Sequence, residues 1–149
     1  MAIEEAELAV LAVKENTDLV VAAPMSFEVG PRGIRTMWGV DIPTAVRRLT
    51  DAGADILGSN CGRGFDDMVK IIQEMRPLTT KPILAQSNAG LPQWVEGKAV
   101  YPEFPEMIRP KVEMLLRLGA NIIGGCCGTT PEHIRVIRKV VSSLKTLES

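Results

Sequence analysis

The sequence predicts an α/β protein built on a parallel sheet of four strands. Short apolar runs alternate with segments whose apolar residues recur every three or four positions, the pattern of strands alternating with amphipathic helices. The strand segments are almost continuously apolar, which is typical of strands covered on both faces. A ten-residue segment also recurs 66 positions later. These features indicate right-handed βα units that follow one another in a single domain, residues 1–149.

The first half of the chain supplies two helices and the first strand. Apolar residues at helical spacing predict a helix over Ile3–Val13, and the apolar run Leu19–Ala23 predicts a strand. Residues Pro24–Gly39 form a long predicted loop that is rich in glycine and proline. Asp41 is then expected to cap a second helix, whose buried stripe consists of Ile42, Ala45, Val46 and Leu49.

The second half of the chain repeats the alternation. A helix ends at Arg76-Pro77 because proline cannot continue it, and a loop with Trp94 and Tyr101 precedes the next helix. That helix is expected to begin near Met107, which leaves Pro110 in its first turn. The predicted elements, in order, are strand Ala54–Cys61, helix Phe65–Met75, strand Pro82–Gln86, the helix from Met107, a strand from Asn121 and a helix from Pro131.

Composition excludes several classes of protein. The 17 Lys and Arg residues nearly balance the 18 Asp and Glu residues, so no overall field attracts nucleic acid or an anionic membrane. No apolar run approaches the roughly 20 residues that a membrane span needs. The acidic N-terminus resembles neither a signal nor a transit peptide. An odd count of three cysteines without a secretory signal favours the reducing cytoplasm.

The internal repeat brings the cysteines together. Gly53–Gly62 aligns with Gly119–Gly128, so that Cys61 corresponds to Cys127. Two βα units separate the copies, which therefore occupy alternate strands. In a βα barrel, alternate strands place side chains at matching heights and catalytic groups gather at the strand C-terminal ends. The repeat thus predicts that Cys61, Cys126 and Cys127 lie at one rim of the sheet.

Three thiolates at one rim point to zinc. They would leave the fourth position of a tetrahedral ion open, as in catalytic zinc sites, and a thiol that entered it would lose its proton. Adjacent cysteines on a regular strand face opposite sides, so both reach one metal only if Gly124, Gly125 and Gly128 let the backbone turn. The spacing matches no standard zinc finger, and buried structural cysteines or a redox pair Cys126-Cys127 remain open alternatives.

Other polar residues near the strand ends are candidates for binding a substrate or orienting the cysteines. They are Asn60, Gln86, Ser87 and Asn88. Local capping of loops is the alternative, especially for Ser87. Glu28 could hold an amino group, and Tyr101 and Trp94 could wall a pocket. His133, the single histidine, is expected to face solvent in the first turn of the last helix.

Three motifs resemble those of the zinc-dependent homocysteine S-methyltransferases, a family that includes betaine–homocysteine methyltransferase and the homocysteine-binding domain of cobalamin-dependent methionine synthase. They are Gly58-Ser59-Asn60-Cys61, Asn88-Ala89-Gly90-Leu91-Pro92 and Gly124-Gly125-Cys126-Cys127-Gly128-Thr129-Thr130-Pro131. The resemblance implies a (β/α)8 barrel in which Cys61, Cys126 and Cys127 bind Zn2+. It also implies that homocysteine sulfur occupies the open position and accepts a methyl group.

The resemblance covers only the C-terminal half of such a barrel, which usually has ~250 residues. We therefore expect a (β/α)4 half of a TIM-type barrel, completed by a C2 homodimer or by an N-terminal half-barrel partner. The expected function is a thiol S-methyltransferase or its zinc-bearing catalytic subunit, and the alternative is a non-catalytic zinc-binding assembly module. Betaine, S-methylmethionine and a methyl-corrinoid protein are all candidate methyl donors.

Overall fold

The computed structural model describes residues 2–145. Its helices are α1 (Ile3–Asn16), α2 (Ile42–Asp51), α3 (Phe65–Met75), α4 (Pro105–Arg117) and α5 (Pro131–Lys145). Its strands are β1 (Ala22–Met25), β2 (Glu28–Gly30), β3 (Gly33–Arg35), β4 (Ile56–Cys61), β5 (Ile83–Ser87), β6 (Gln93–Val95), β7 (Lys98–Val100) and β8 (Ile122–Gly125). Within this range no helix combines the length and apolar character needed to span a bilayer.

The central sheet has the strand order β1-β4-β5-β8, and every pairing in it is parallel. One face packs against the helices: Leu57, Ile83 and Ala85 belong to the same buried cluster as the apolar stripes of α2, α3 and α4. The alternate residues point to the other face, where Ala22 and Ile122 are exposed. The predicted α/β fold with a four-stranded parallel sheet is confirmed.

The register of the sheet is staggered like that of a barrel. Gly58 lies opposite Leu84, and Leu84 lies opposite Ile122, whereas the internal repeat equates Gly58 with Gly124. Equivalent positions are thus displaced by two residues over two strand steps. The (β/α)8 barrel has a shear of about one residue per strand step. The sheet therefore has the stagger of a TIM-type barrel.

Both copies of the repeat also make the same kind of side-chain hydrogen bond near their start. The Asp55 carboxylate accepts a hydrogen bond of 2.8 Å from the Val21 N–H, just before β1. Its counterpart Asn121 accepts one of 2.9 Å from the Ile83 N–H, at the start of β5. In each copy, a side chain just before one strand thus satisfies a backbone donor of the neighbouring strand, which fixes the alignment of the pair.

Several predicted boundaries are wrong. Strand β1 begins at Ala22 rather than Leu19, because its pairing with β4 begins there, and the side chains of Leu19 and Val20 are exposed. Both long predicted loops contain a short antiparallel hairpin, β2–β3 in the first and β6–β7 in the second. Helix α4 begins at Pro105, a residue suited to the first helical position, so Pro110 lies in the helix interior and not in its first turn.

Candidate metal centre

The three cysteine sulfurs converge at the C-terminal rim of the sheet. Cys61 Sγ lies 3.0 Å from Cys126 Sγ, and Cys126 Sγ lies 3.9 Å from Cys127 Sγ. All three sulfurs lie within 4.8 Å of one another, and the cysteines are unbridged. Cys61 and Cys126 are half-buried, whereas Cys127 is exposed. The cluster is thus reachable from the open end of the sheet.

Sharp turns after β4 and β8 aim the sulfurs at one point. Cys61, the last residue of β4, has a left-handed backbone with φ of +60°. This conformation is strained for a residue other than glycine, and strained residues of this kind cluster at functional sites. After β8, the Thr129 N–H and hydroxyl both donate to the Cys126 carbonyl, at 3.2 and 2.7 Å. Gly128 completes that turn at φ of +79°. Adjacent Cys126 and Cys127 can therefore present their sulfurs to the same point.

Asn88 joins the two turns that carry the cysteines. Its side-chain amide donates to the Gly62 carbonyl at 2.9 Å, and its side-chain carbonyl accepts from the Cys127 N–H at 3.0 Å. Its own N–H donates to the Cys61 carbonyl at 3.2 Å. Because Asn88 is buried, these bonds are shielded from competing water. The side chain thus orients the cysteines.

Two other predicted residues also contact the cysteine turns. The Asn60 side-chain amide donates to Cys61 Sγ at 3.3 Å, and its side-chain carbonyl accepts from the Ser26 hydroxyl. The Ser87 hydroxyl is buried and donates to the Asn88 carbonyl, while the Ser87 carbonyl accepts from the Cys126 N–H at 2.8 Å. Ser87 therefore supports the loop that carries Asn88.

The thiols perturb one another. Burial, followed by the hydrogen bond that its thiol donates to Cys126, raises the pKa of Cys61 to about 11. Burial also acts to raise the pKa of Cys126, but the hydrogen bond that its sulfur accepts from the Cys61 thiol, with smaller contributions from Cys127, leaves that pKa lowered. Of these two thiols, Cys126 therefore ionises more readily than Cys61.

Comparisons with known proteins place this geometry in a family. The model of the homocysteine S-methyltransferase family matches residues 1–141. The chain belongs to this family. Methionine synthase of Mycobacterium tuberculosis is 32 % identical over 111 residues, which cover 74 % of this chain and 9 % of that protein. Methionine synthase of Mycobacterium leprae is 32 % identical over 105 residues, which cover 70 % of this chain and 9 % of that protein.

Solved structures support the same assignment of the fold. The metallated form of the homocysteine methyltransferase MmuM from Escherichia coli superposes with a TM-score of 0.71 at 19 % identity, covering 92 % of this chain and 41 % of that one. Its apo form gives 0.70, with 93 % and 46 % covered. The chain thus spans less than half of these structures and about a tenth of the methionine synthases. It has the fold of a partial TIM-type barrel, as predicted.

Two further residues that the sequence predicts to bind the substrate, Glu28 and Tyr101, lie close to the cysteine rim. Glu28 lines a recess of about 300 Å³ together with Ser26, Trp38 and Asn60. The half-buried Tyr101 packs its ring directly over Gly128, where a Cβ atom would overlap the ring. Trp94, by contrast, lies on the β6–β7 hairpin and is 77 % exposed.

The prediction that His133 faces solvent is wrong, because its side chain is only 4 % exposed. Its Nδ1 accepts from the Thr130 N–H at 3.0 Å, so the proton lies on Nε2, which donates to the Glu103 carbonyl at 2.8 Å. Since Thr130 is the residue before α5, the ring completes a cap in the manner of a capping box. Glu103 itself, which the sequence patterns did not single out, contacts the loop after β5 and the first turns of α3 and α5.

Proposed function

We propose that this chain is the zinc-bearing half of a thiol S-methyltransferase that acts on homocysteine or a similar thiol. The observation that carries this proposal is the convergence of Cys61, Cys126 and Cys127, whose sulfurs all lie within 4.8 Å of one another. Membership of the homocysteine S-methyltransferase family supports the reaction and the acceptor.

The three cysteines fit a zinc ion. Zinc–sulfur bonds of about 2.3 Å in a tetrahedral site place neighbouring sulfurs about 3.8 Å apart, and the two measured separations of 3.0 and 3.9 Å bracket that value. The related E. coli enzyme has been solved in a metallated form. Three protein sulfurs leave one tetrahedral position for a substrate, and zinc there would make a thiol ionise at neutral pH.

The remaining residues hold the reactants in place. Asn60 donates to Cys61 Sγ and Asn88 holds the cysteine turns, while Ser87 supports Asn88. We propose that Glu28 binds the ammonium group of the acceptor, because Glu28 and Asn60 line the same recess and a carboxylate attracts a cation. In the reaction the acceptor sulfur, having lost its proton, bonds to the methyl carbon. The bond from that carbon to the donor breaks, and its electron pair leaves with the donor.

Metal analysis and zinc-edge X-ray absorption test the proposal. The purified chain should hold one zinc ion with three sulfur neighbours, and added homocysteine should raise that number to four. Cys126→Ser should lose one sulfur neighbour, whereas Ser26→Ala, which keeps every thiol, should lose none. A zinc shell that homocysteine leaves unchanged would contradict the methyltransferase and favour a zinc-binding assembly module. A chain that holds no metal and forms a disulfide with oxidant would instead be a redox protein.

We further propose that a second copy of this chain completes the barrel. Strands β1 and β8 are the edges of the described central sheet, so each leaves one side of its backbone unpaired. The stagger of the sheet suits closure with a second sheet of the same kind, and the chain covers only 41 % of the metallated MmuM structure. Two copies related by a two-fold axis along the barrel would pair β8 of each with β1 of the other.

A further inference from the structure

Glu103 contacts the loop after β5 and the first turns of α3 and α5, although it lies in none of the three motifs. It precedes α4, and its side chain is only 12 % exposed. Its N–H donates to the Ala89 carbonyl at 3.1 Å, one residue beyond Asn88. Its carbonyl accepts from His133 Nε2 at 2.8 Å, in the helix that follows the adjacent cysteines. The main chain of Glu103 thus joins the loop after β5 to the start of α5.

The Glu103 carboxylate also holds the third loop, which follows Cys61. Helix α3 is preceded by Gly64, which has no side chain with which to cap it. Glu103 Oε2 takes over that task by accepting from the Phe65 N–H at 3.0 Å. A carboxylate at a helix N-terminus is stabilised by the exposed N–H groups and by the helix dipole. The end of the turn from Cys61 to α3 is therefore anchored by the segment that precedes α4.

An ion pair and close packing fix the carboxylate in this position. Lys111 Nζ lies 2.9 Å from Glu103 Oε1 and 2.7 Å from an oxygen of Asp66, in the first turn of α3. A Cβ atom on Gly64 would come within 2.8 Å of Glu103 Oε1, so the backbone approaches the carboxylate as only glycine allows. Glu103 thus has little freedom to leave the helix terminus.

We propose that Glu103 is a positioning residue of the metal centre, which keeps the turn after β4, the Asn88 loop and the turn after β8 in register. This inference rests on the proposed function, because the property that Glu103 would change is the affinity of the site for zinc. Residues that orient metal ligands without touching the metal typically change affinity by about 10- to 100-fold when they are mutated. Glu103 acts one contact further out, so we expect the lower end of that range.

Zinc affinity of the metal-free full chain, measured by competition with a chelator, provides the first test. Glu103→Ala should weaken zinc binding roughly 10-fold, and Glu103→Gln should weaken it less, because an amide oxygen still accepts from Phe65. Two controls separate positioning from stability. Glu106→Ala alters an exposed carboxylate in α4, and Val46→Ala loosens the distant core under α2. Unchanged affinity in Glu103→Ala, or an equal loss in Val46→Ala, would overturn the proposal.

Amide hydrogen exchange in the metal-free protein provides a second test, which needs no zinc. The Cys127 N–H is bonded to Asn88, so its exchange should accelerate in Glu103→Ala relative to the central Leu57 N–H of β4. Equal acceleration at both amides would show mere destabilisation and contradict the positioning role. If the wild-type chain binds no zinc, the proposed function fails, and this exchange comparison still decides the role of Glu103.

Discussion

Single residues decide whether the sulfurs can meet, and Gly128 is the clearest case. Its backbone is left-handed, and a Cβ atom would overlap the Tyr101 ring. We predict that Gly128→Ala displaces the ring and the turn after Cys127, so that it lowers both thermal stability and zinc content. Left-handed strain alone costs about 1–2 kcal/mol, and the overlap should add to that cost.

Substitutions at two other glycines distinguish the effect of backbone strain from the effect of overlap with the Tyr101 ring. Gly97 also has a left-handed backbone but nothing within 4 Å of its Cβ position, and Gly30 has neither constraint. Gly97→Ala should show the strain alone and keep full zinc content, while Gly30→Ala should change neither property. Thermal melts and metal analysis of the three variants make the comparison. Full zinc content in Gly128→Ala would show that the Tyr101 contact is irrelevant to the cysteines.

At the scale of elements, Asp55 connects α1 and β1 to β4, and its contribution depends on pH. The Val21 N–H, followed by Lys14, holds the pKa of the Asp55 carboxyl below its usual value. A lowered pKa in the folded state stabilises the protein above the unfolded value of about 3.9, and this stabilisation is lost as the pH falls below it. Wild type should therefore exceed Asp55→Asn in melting temperature at pH 7, with the difference shrinking below about pH 4.

The repeat provides a natural reference for that prediction, since Asn121 makes the equivalent bond with a neutral side chain. In Asp55→Asn, both copies would carry the same amide. Asp18→Asn, at an exposed position between α1 and β1, controls for the general effect of removing a carboxylate. A difference between wild type and Asp55→Asn that stays constant from pH 7 to pH 3 would contradict the assigned role.

Some of the helices and strands could be predicted from the sequence, and others could not. Helix α2 was predictable to its cap, because Asp41 accepts from the Thr44 N–H and the periodic apolar stripe is buried. The convergence of the cysteines was predictable because the repeat fixes their strands. The hairpins were not, since each strand has only three residues, too few for an alternating pattern to be recognised, and all residues of β6 and β7 are exposed.

Contacts between distant residues account for the rest. His133 was expected in solvent because nothing in its helix requires burial, yet the loop before α4 lies over it. Glu103 has no local pattern, and its partners Phe65 and Lys111 lie on two different helices. Such roles arise only when the sheet brings the ends of its strands together, so local periodicity contains no signal for them.

For the whole molecule, the decisive question is what covers the face of the sheet opposite the helices. Ile122 of β8 lies on that face and is 42 % exposed in the single chain. In a barrel closed by a second copy it would be buried, so Ile122→Lys should place an unpaired charge in the interior and prevent closure. Met114→Lys is the matched control, because Met114 is exposed on α4, a helix between α3 and α5 and away from both sheet edges.

Light scattering coupled to size exclusion measures the outcome directly. Wild type and Met114→Lys should elute with the mass of two chains, and Ile122→Lys with the mass of one while keeping its helical circular dichroism. A wild-type chain that stays monomeric and folded at high concentration would rule out a second copy and leave a separate N-terminal half-barrel as the completing partner. An Ile122→Lys variant that still dimerises would show that the two copies meet elsewhere, with the inner face still open.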